Sequence, residues 1–132
     1  MPLDLADVLA AAEAAERGRP VAIMGPDGES LGASVVIRGV NSATYRREQS
    51  RLMLRQFRKP LSEDAAAAQV EENRLQLVTA CVVSWEGVVS GGEPIECSPQ
   101  NITRVLAAAP WLLFQLEAAQ NTPRSLTPAK EE

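Results

Sequence analysis

The chain has 132 residues and a net charge of −4, and it is 45% apolar but only 4% aromatic. It contains no histidine, which excludes histidine as a general base, as the partner of a serine or cysteine nucleophile, and as a metal ligand. The length predicts one domain, and the twenty alanines favour a thin, helix-rich fold. Because histidine is absent, we do not expect an enzyme.

The first predicted element is a helix over residues 3–17. Its apolar stripe is narrow and consists of Leu5, Val8, Leu9 and Ala12. Asp4 and Asp7 suit the positive N-terminal end of a helix, and Gly18 is typical of the position just after its last residue. We expect this alanine-rich helix to pack closely but to bury little by itself.

A β-hairpin is predicted next, over residues 20–38. Two β-compatible runs flank the sequence Gly25-Pro26-Asp27-Gly28, which is typical of a tight turn. Alternation in the second run places Ala33, Val35 and Ile37 on one face of the hairpin. The glycines do not indicate a phosphate-binding loop, because the Gly-Lys-Ser/Thr ending is missing and the neighbouring carboxylates would repel an anion.

A polar helix follows, with Asn41 or Ser42 as its cap and with Lys59 and Pro60 at its end. Its predicted inward stripe consists of Tyr45, Gln49, Leu52, Met53 and Phe57. A basic face consists of Arg47, Arg51, Arg55 and Arg58, which recur every three or four residues. We expect these arginines to be solvated or to pair with an acidic neighbouring subunit.

A longer helix is predicted to start at Ser62, with two acidic residues in its first turn. Its apolar positions recur at helical spacings and comprise Val70, Leu77, Val78, Cys81, Val82 and Trp85. The pattern predicts a continuous helix to Trp85, with Gly87 as its stop. The alternative is a helix that ends near Ala80 and is followed by a short strand.

The remainder is predicted to form a loop, two helices and a tail. The loop spans residues 88–97 and contains two adjacent glycines. Ser98-Pro99 is typical of a helix start, and Pro110 separates this helix from a final one over residues 111–120. Residues 121–132 are polar, contain two prolines and are expected to be disordered.

The final helix has apolar side chains on every side rather than on one stripe. Either another part of the chain or a partner must cover its second face, and large aromatic residues contribute much of the binding energy at interfaces. The candidate partner-binding residues are therefore Trp111, Leu112, Phe114 and Leu116 on this helix, with Arg47, Arg51 and Arg55 on the basic face.

Charge along the chain changes sign twice. The net charge is −4 over residues 1–37, +6 over residues 38–59 and −6 over residues 60–132. Such blocks favour internal charge pairing or self-association, so we expect a homo-oligomer. Nucleic-acid binding is not expected, because the protein is acidic overall and the aromatic residues near the arginines fall on the predicted inward stripe.

No other pattern indicates a catalytic, metal or cofactor site. Cys81 and Cys97 lack partner ligands and are interpreted as ordinary thiols, with one disulfide as the alternative. The first twenty residues are acidic, unlike a secretory signal, and no apolar run approaches the roughly 20 residues that span a bilayer. We therefore expect a cytoplasmic protein with no membrane partner.

The order of these motifs resembles that of the tail assembly chaperones of long-tailed bacteriophages. The residues that carry the resemblance are 21–28, 35–42, 80–88 and 97–102, followed by Pro110 and Trp111. The most informative motifs are Trp85-Glu86-Gly87 after a long helix and the helix cap Ser98-Pro99-Gln100-Asn101. The resemblance covers about residues 20–120, and Gln100 departs from the glutamate usual in the family.

The resemblance implies a non-enzymatic assembly factor without cofactors. Such proteins bind the tape-measure protein in the host cytoplasm while the tail tube polymerises around it, and they are absent from the mature virion. In many members a programmed frameshift makes a longer form that is thought to recruit tail tube protein. The alternatives are a structural virion component, such as a tail completion or head–tail connector subunit, and a nucleic-acid-binding regulator.

These observations together predict a mainly helical α+β fold, in which a short N-terminal β-hairpin packs on four to five helices. One globular domain is expected over residues 1–120. It comprises an N-terminal helix over residues 1–18, the hairpin over residues 20–38 and a helical part over residues 41–120, before the tail at 121–132.

Overall fold

The computed structural model describes residues 2–58 and 62–121, and the side chains of residues 56–58 lie outside this description. Its elements are α1 (Leu5–Arg17), β1 (Arg19–Met24), β2 (Ser30–Ile37), α2 (Ala43–Arg58), α3 (Glu63–Cys81), β3 (Val82–Glu86), β4 (Val89–Ser90), β5 (Glu93–Pro94), α4 (Pro99–Ala108) and α5 (Pro110–Asn121). The expected α+β, mainly helical fold is confirmed. Four expectations lie outside the described residues: the inward Phe57, Arg58 on the basic face, the helix end at Lys59 and Pro60, and the disordered tail after 121.

The main sheet has three antiparallel strands in the order β1-β2-β3, so β2 is central. β1 and β2 form the predicted hairpin, in which Val21 lies opposite Val35 and Arg19 lies opposite Ile37. Val35 and Ile37 are buried, and Ala33 packs against the same core, which confirms that the three share one face. The other face carries mostly small and polar residues, and Met24 on that face is exposed, as is usual for an antiparallel sheet covered on one side.

The hydrophobic core lies between this sheet and the C-terminal helices. α5 packs on β1 and β2, and α3 and α4 pack against α5 and against each other. The buried core residues in the described part of the chain are Ile23, Val35, Ile37, Val78, Cys81, Ile102, Leu106, Leu112, Leu113 and Leu116. Removing these apolar side chains from water is the main favourable contribution to folding.

The outer edge of β1 is covered by α5. The Gln115 side chain accepts a hydrogen bond from the Met24 N–H at 3.1 Å and donates one to the Met24 carbonyl at 2.5 Å. At the other end of the strand, the Arg19 guanidinium donates to the Ala119 carbonyl at 3.0 Å. α5 is therefore attached to β1 at both ends of the strand.

The predicted continuous helix to Trp85 is wrong, and the alternative of a helix followed by a strand is correct. α3 ends at Cys81, and Val82–Glu86 form β3. Gly87 follows this strand with φ +79, and a Cβ there would lie 2.5 Å from the Gly32 carbonyl oxygen. Gly87 therefore permits a close backbone approach instead of stopping a helix.

A β-bulge explains why the sequence periodicity favoured the helix. Val82 pairs with Ile37 and Ser84 pairs with Val36, which leaves Val83 as an extra residue in β3. In a regular strand, residues three positions apart face opposite sides of the sheet. The extra residue lets Val82 and Trp85 both pack against the core, at a spacing that imitates a helix.

Two other predicted apolar stripes are partly wrong. On α2, Leu52 is buried and Tyr45 is half-buried as expected, but Gln49 and Met53 are exposed. On α3, Val70 is exposed although Val78 and Cys81 are buried. These helices pack along one narrow line, so apolar residues beside that line remain in solvent.

The predicted helix caps are confirmed, and the predicted loop over 88–97 needs one correction. The side chains of the predicted caps Ser62 and Ser98 accept hydrogen bonds from N–H groups at the starts of α3 and α4. Asp4, which was predicted to lie inside the first helix, is instead the cap of α1. Ser42 caps α2 by accepting from the Tyr45 N–H at 3.1 Å. Within the supposed loop, β4 and β5 form a small hairpin closed by Gly91 and Gly92.

Candidate protein-binding surfaces

An apolar groove lies between the sheet and helices α4 and α5. Its volume is about 220 Å³, and almost all of its lining side chains are apolar. The strands contribute Ile23, Val35 and Trp85, and the helices contribute Leu106, Trp111 and Leu112. Leu31 and Val89 lie at its mouth, where both are about half exposed. The groove can accept large apolar side chains from a partner.

Hydrogen bonds hold the rim of this groove in place. The Trp85 indole N–H donates to the Ile95 carbonyl at 2.9 Å, and the Ile95 N–H donates to the Val88 carbonyl at 3.1 Å. Nearby, the Asn101 side-chain amide donates to the Glu96 carbonyl at 2.9 Å. The Trp-Glu-Gly motif and the helix-cap motif therefore both shape the segment that borders the groove.

The four candidate residues on α5 fall into two groups. Leu112 and Leu116 lie in the hydrophobic core, and so does their neighbour Leu113. Trp111 is half-buried and lines the groove, whereas the Phe114 side chain is 56% exposed. The sheet and α3 and α4 thus cover most of a helix that is apolar on every side, and Trp111 and Phe114 remain accessible.

Phe114 lies beside a fixed positive charge. The Arg74 guanidinium carbon is 5.1 Å from the centroid of the Phe114 ring, which is within cation–π range. The same guanidinium donates to both Glu117 carboxylate oxygens, at 2.6 and 2.9 Å. Because these hydrogen bonds stabilise the charged form, they raise the pKa of Arg74 further. Glu71 adds a second carboxylate at 3.3 Å.

The three candidate arginines of α2 are exposed, but two of them are already engaged. Arg51 pairs with Glu48, which raises the pKa of Arg51, and it also donates to the Gln76 amide oxygen at 3.2 Å. Arg55 donates to the Asn73 amide oxygen at 3.3 Å. Arg47 forms no ion pair or side-chain hydrogen bond with any residue that the structure describes.

The apolar residues Leu5, Val8 and Leu9 of α1 are exposed, which agrees with the expectation that this helix buries little by itself, although it does not pack closely along its length. No residue of α1 is buried, and the Leu5 side chain is 69% exposed. The helix is attached through its C-terminal end, where the Ala15 carbonyl accepts from the Gly39 N–H at 3.2 Å and Glu16 pairs with Arg38 at 3.2 Å. Its N-terminal half therefore presents apolar side chains to solvent.

Two residues of the candidate surface were missed at the level of sequence. Leu31 and Val89 at the groove mouth were not predicted, because each lies near a turn and neither belongs to a periodic stripe. The adjacent glycines at 91 and 92 were the available signal, since a two-residue turn between short runs is typical of a hairpin. Recognising this hairpin would have placed Val89 on a β-strand.

Both cysteines are free thiols, and burial raises the pKa of each. The pKa of Cys81 rises to about 11, so this thiol remains protonated at neutral pH and is a poor nucleophile. Among the described residues, no group of three or more potential ligands is arranged to hold a metal ion. None of the helices described is long and apolar enough to cross a membrane.

Comparisons with models of protein families, with curated proteins and with solved structures find no match to this chain.

Proposed function

We propose that this chain is a tail assembly chaperone of a long-tailed bacteriophage, which binds the tape-measure protein without catalysing a reaction. The observation that carries this proposal is the apolar groove, with Leu31 and Val89 exposed at its mouth. The resemblance implies a long, helical and aggregation-prone client. A chaperone for such a client needs an accessible apolar surface that binds reversibly.

The groove suits side chains that project from a helix. Pockets for drug-sized ligands and cofactors usually measure about 300–1,000 Å³, and this one measures about 220 Å³. An amphipathic helix binds such a groove by inserting apolar side chains spaced three or four residues apart. Trp111 can contribute a large aromatic contact along the groove wall.

The positions of the family-like motifs also support the proposal. Trp85 lines the groove, and the segment after Gly87 folds back so that the Ile95 carbonyl accepts the indole N–H. Ser98 then starts α4, which supplies the opposite wall. The motifs that carry the resemblance thus border the surface assigned to the client.

A charge placed at the groove mouth tests the proposal. Val89→Glu should reduce co-purification with the tape-measure protein of the same phage at least about tenfold, because a carboxylate would have to be buried beside apolar side chains. Val70→Glu is the matched control, since Val70 is a valine on α3 that is 50% exposed, against 53% for Val89. This control should bind like the wild type.

Equal binding by the two variants, with unchanged circular dichroism, would contradict a role for the groove. Leu31→Glu provides a second test at the same mouth. Mass spectrometry of purified virions addresses the alternative class of structural virion component. We expect the chain to be absent from virions, and its presence at stoichiometric levels would favour that alternative.

A further inference from the structure

The chain segments that form the strand side of the apolar groove carry negative charge only. Residues 20–37 and 75–103 include every strand residue except Arg19, and they contain no lysine or arginine. Their acidic residues are Asp27, Glu29, Glu86, Glu93 and Glu96. All of these residues are exposed, and none forms an ion pair with any residue within 2–58 or 62–121. Their charge is therefore available to a partner.

Carboxylates lie on both sides of the groove mouth. The Asp27 Oδ1 atom and the Leu31 Cδ2 atom each lie 3.2 Å from the position that a Cβ on Gly25 would take, so the two atoms are no further apart than twice that distance. The same Asp27 oxygen accepts a hydrogen bond from the Glu29 N–H at 3.2 Å. Glu93 lies on the β4–β5 hairpin, which forms the other side of the mouth. A partner in the groove therefore meets carboxylates at its border.

The helices that line the groove do not neutralise this charge. Arg104 is the one basic residue in the sequences of α4 and α5. It lies midway between Ile102 and Leu106, which line the groove, so at about 100° per residue it projects from the opposite side of α4. Its guanidinium donates a hydrogen bond to the Asn101 side chain at 3.1 Å. The mouth is thus apolar inside and acidic at its border.

We infer that the client segment held by this groove is a basic amphipathic helix, an inference that rests on the proposed function. Apolar side chains on one face of the helix enter the groove, and lysine or arginine side chains beside that face lie near Asp27, Glu29 and Glu93. Opposite charges around an apolar contact favour association, whereas an acidic segment would bring like charges together and lose affinity. The charge complementarity therefore selects the class of client segment.

Glu13 on α1 provides a control position that is matched to Glu29. Both are exposed glutamates without an ion-pair partner in the described part of the chain. Glu29 lies just before β2, whereas α1 is attached at Gly39, just after β2. This strand has 8 residues and is about 26 Å long at about 3.3 Å per residue. That length exceeds the Debye length of about 10 Å at about 0.1 M salt, so a charge at Glu13 has little effect at the mouth.

Two synthetic helical peptides test the inference on the full chain. Both carry leucines along one face, and the positions beside this face are lysine in one peptide and glutamate in the other. Trp85 and Trp111 are the only tryptophans of the chain and both line the groove, so their fluorescence reports the binding of peptides without tryptophan. The lysine peptide should bind at least about tenfold more tightly at about 0.1 M salt. The difference should shrink at about 1 M, where the Debye length is about 3 Å.

Glu29→Lys and Glu13→Lys separate a local effect from an effect of net charge, because both change the net charge by the same amount. Glu29→Lys should weaken binding of the lysine peptide at least about threefold, and Glu13→Lys should bind it like the wild type. Circular dichroism checks that both variants are folded. Equal effects of the two variants, or equal affinities of the wild type for the two peptides, would overturn the inference.

Failure of this inference can be told apart from failure of the proposed function. If both peptides bind equally and a peptide with serines in place of the leucines does not, the groove binds apolar helices without a preference for charge, and only this inference fails. If the lysine peptide does not bind, this inference fails, and the effect of Val89→Glu on co-purification decides whether the proposed function fails with it. A concentration-dependent fluorescence change of the chain alone, abolished by Glu29→Lys, would identify a second copy as the occupant and would also overturn the inference.

Discussion

Helices α1 and α5 are both rich in alanine and leucine, yet they end in opposite environments. Leu112, Leu113 and Leu116 of α5 are buried, whereas Leu5 and Leu9 of α1 are exposed. The difference follows from what lies opposite each helix. α5 faces two strands and two helices, whereas α1 contacts the rest of the chain mainly at its C-terminal end. An apolar stripe therefore indicates a helix face that is suited to burial. It does not show whether the surface that buries this face belongs to the same chain.

Truncating one leucine on each helix should give the largest contrast. Leu116 is 1% exposed, so Leu116→Ala should lower the free energy of unfolding by about 2–5 kcal/mol through lost burial and a cavity. Leu9→Ala should change it by less than about 0.5 kcal/mol. Urea unfolding, at concentrations where the chain is monomeric, measures both. Similar losses of unfolding free energy for the two variants would contradict the contrast between a buried leucine on α5 and an exposed one on α1.

A pH titration should report on the thiol beneath α5. Cys81 is buried beside Gln120 of that helix, and burial raises the pKa of the thiol to about 11. The folded pKa exceeds the unfolded one, so this contribution to stability is complete below about pH 8.5 and is lost as the pH rises toward 11. The slope should reach at most about 1.4 kcal/mol per pH unit.

Cys81→Ala removes this titration and supplies the control for alkaline effects elsewhere. We expect the variant to be less stable than the wild type at neutral pH and to lose less stability between about pH 9 and pH 11. Chemical unfolding across this range measures both slopes. Parallel slopes for the two proteins would show that α5 does not keep this thiol from water.

The smallest expected effect concerns the attachment of α1. Hydrogen bonds from Thr44, and then the charge of Arg38, hold the pKa of Glu16 below its ordinary value. A lowered pKa contributes stability above the unfolded pKa, and the contribution is lost as the pH falls through the folded value. Because Glu16 is more than one third exposed, we expect less than about 1 kcal/mol.

Hydrogen exchange can localise this effect to one helix. Glu16→Gln should speed amide exchange in the last turn of α1 at neutral pH and leave α5 unchanged. Once the pH has fallen through the lowered folded pKa of Glu16, the wild type and the variant should converge, because the carboxylate is then protonated in both the folded and the unfolded chain. Equal acceleration in both helices would show that α1 is coupled to the core.

Local signals in the sequence were sufficient for most of the fold. Helix caps such as Ser62 and Ser98 and the turn at 25–28 act through neighbouring backbone groups, so they can be identified without tertiary structure. β3 could not be identified in this way, because its strand conformation depends on pairing with β2, which is more than forty residues away. The bulge at Val83 then imitated the period of a helix.

The candidate surfaces were less predictable than the fold. Trp111 and Phe114 were identified and remain accessible, but Leu112 and Leu116 complete the core. The groove mouth at Val89 is formed by residues from separate elements of the fold. The sequence of one segment does not show which other segments come to lie beside it. Arg51 and Arg55 are exposed yet bound to side chains of the same chain, which depends on how α2 lies against α3.

The Gln115 contact with Met24 has a consequence for how copies of this chain can join. An unpaired edge strand can recruit the edge of another sheet, which leads to uncontrolled polymerisation. Here the side-chain amide of Gln115 forms hydrogen bonds with both the N–H and the carbonyl of Met24. Pro20 in the same strand has no N–H that could bond to a further strand. Strand addition is thus hindered at these two positions of β1, and the other edge strand of the sheet, β3, carries the bulge at Val83, which also disfavours regular pairing with a further strand.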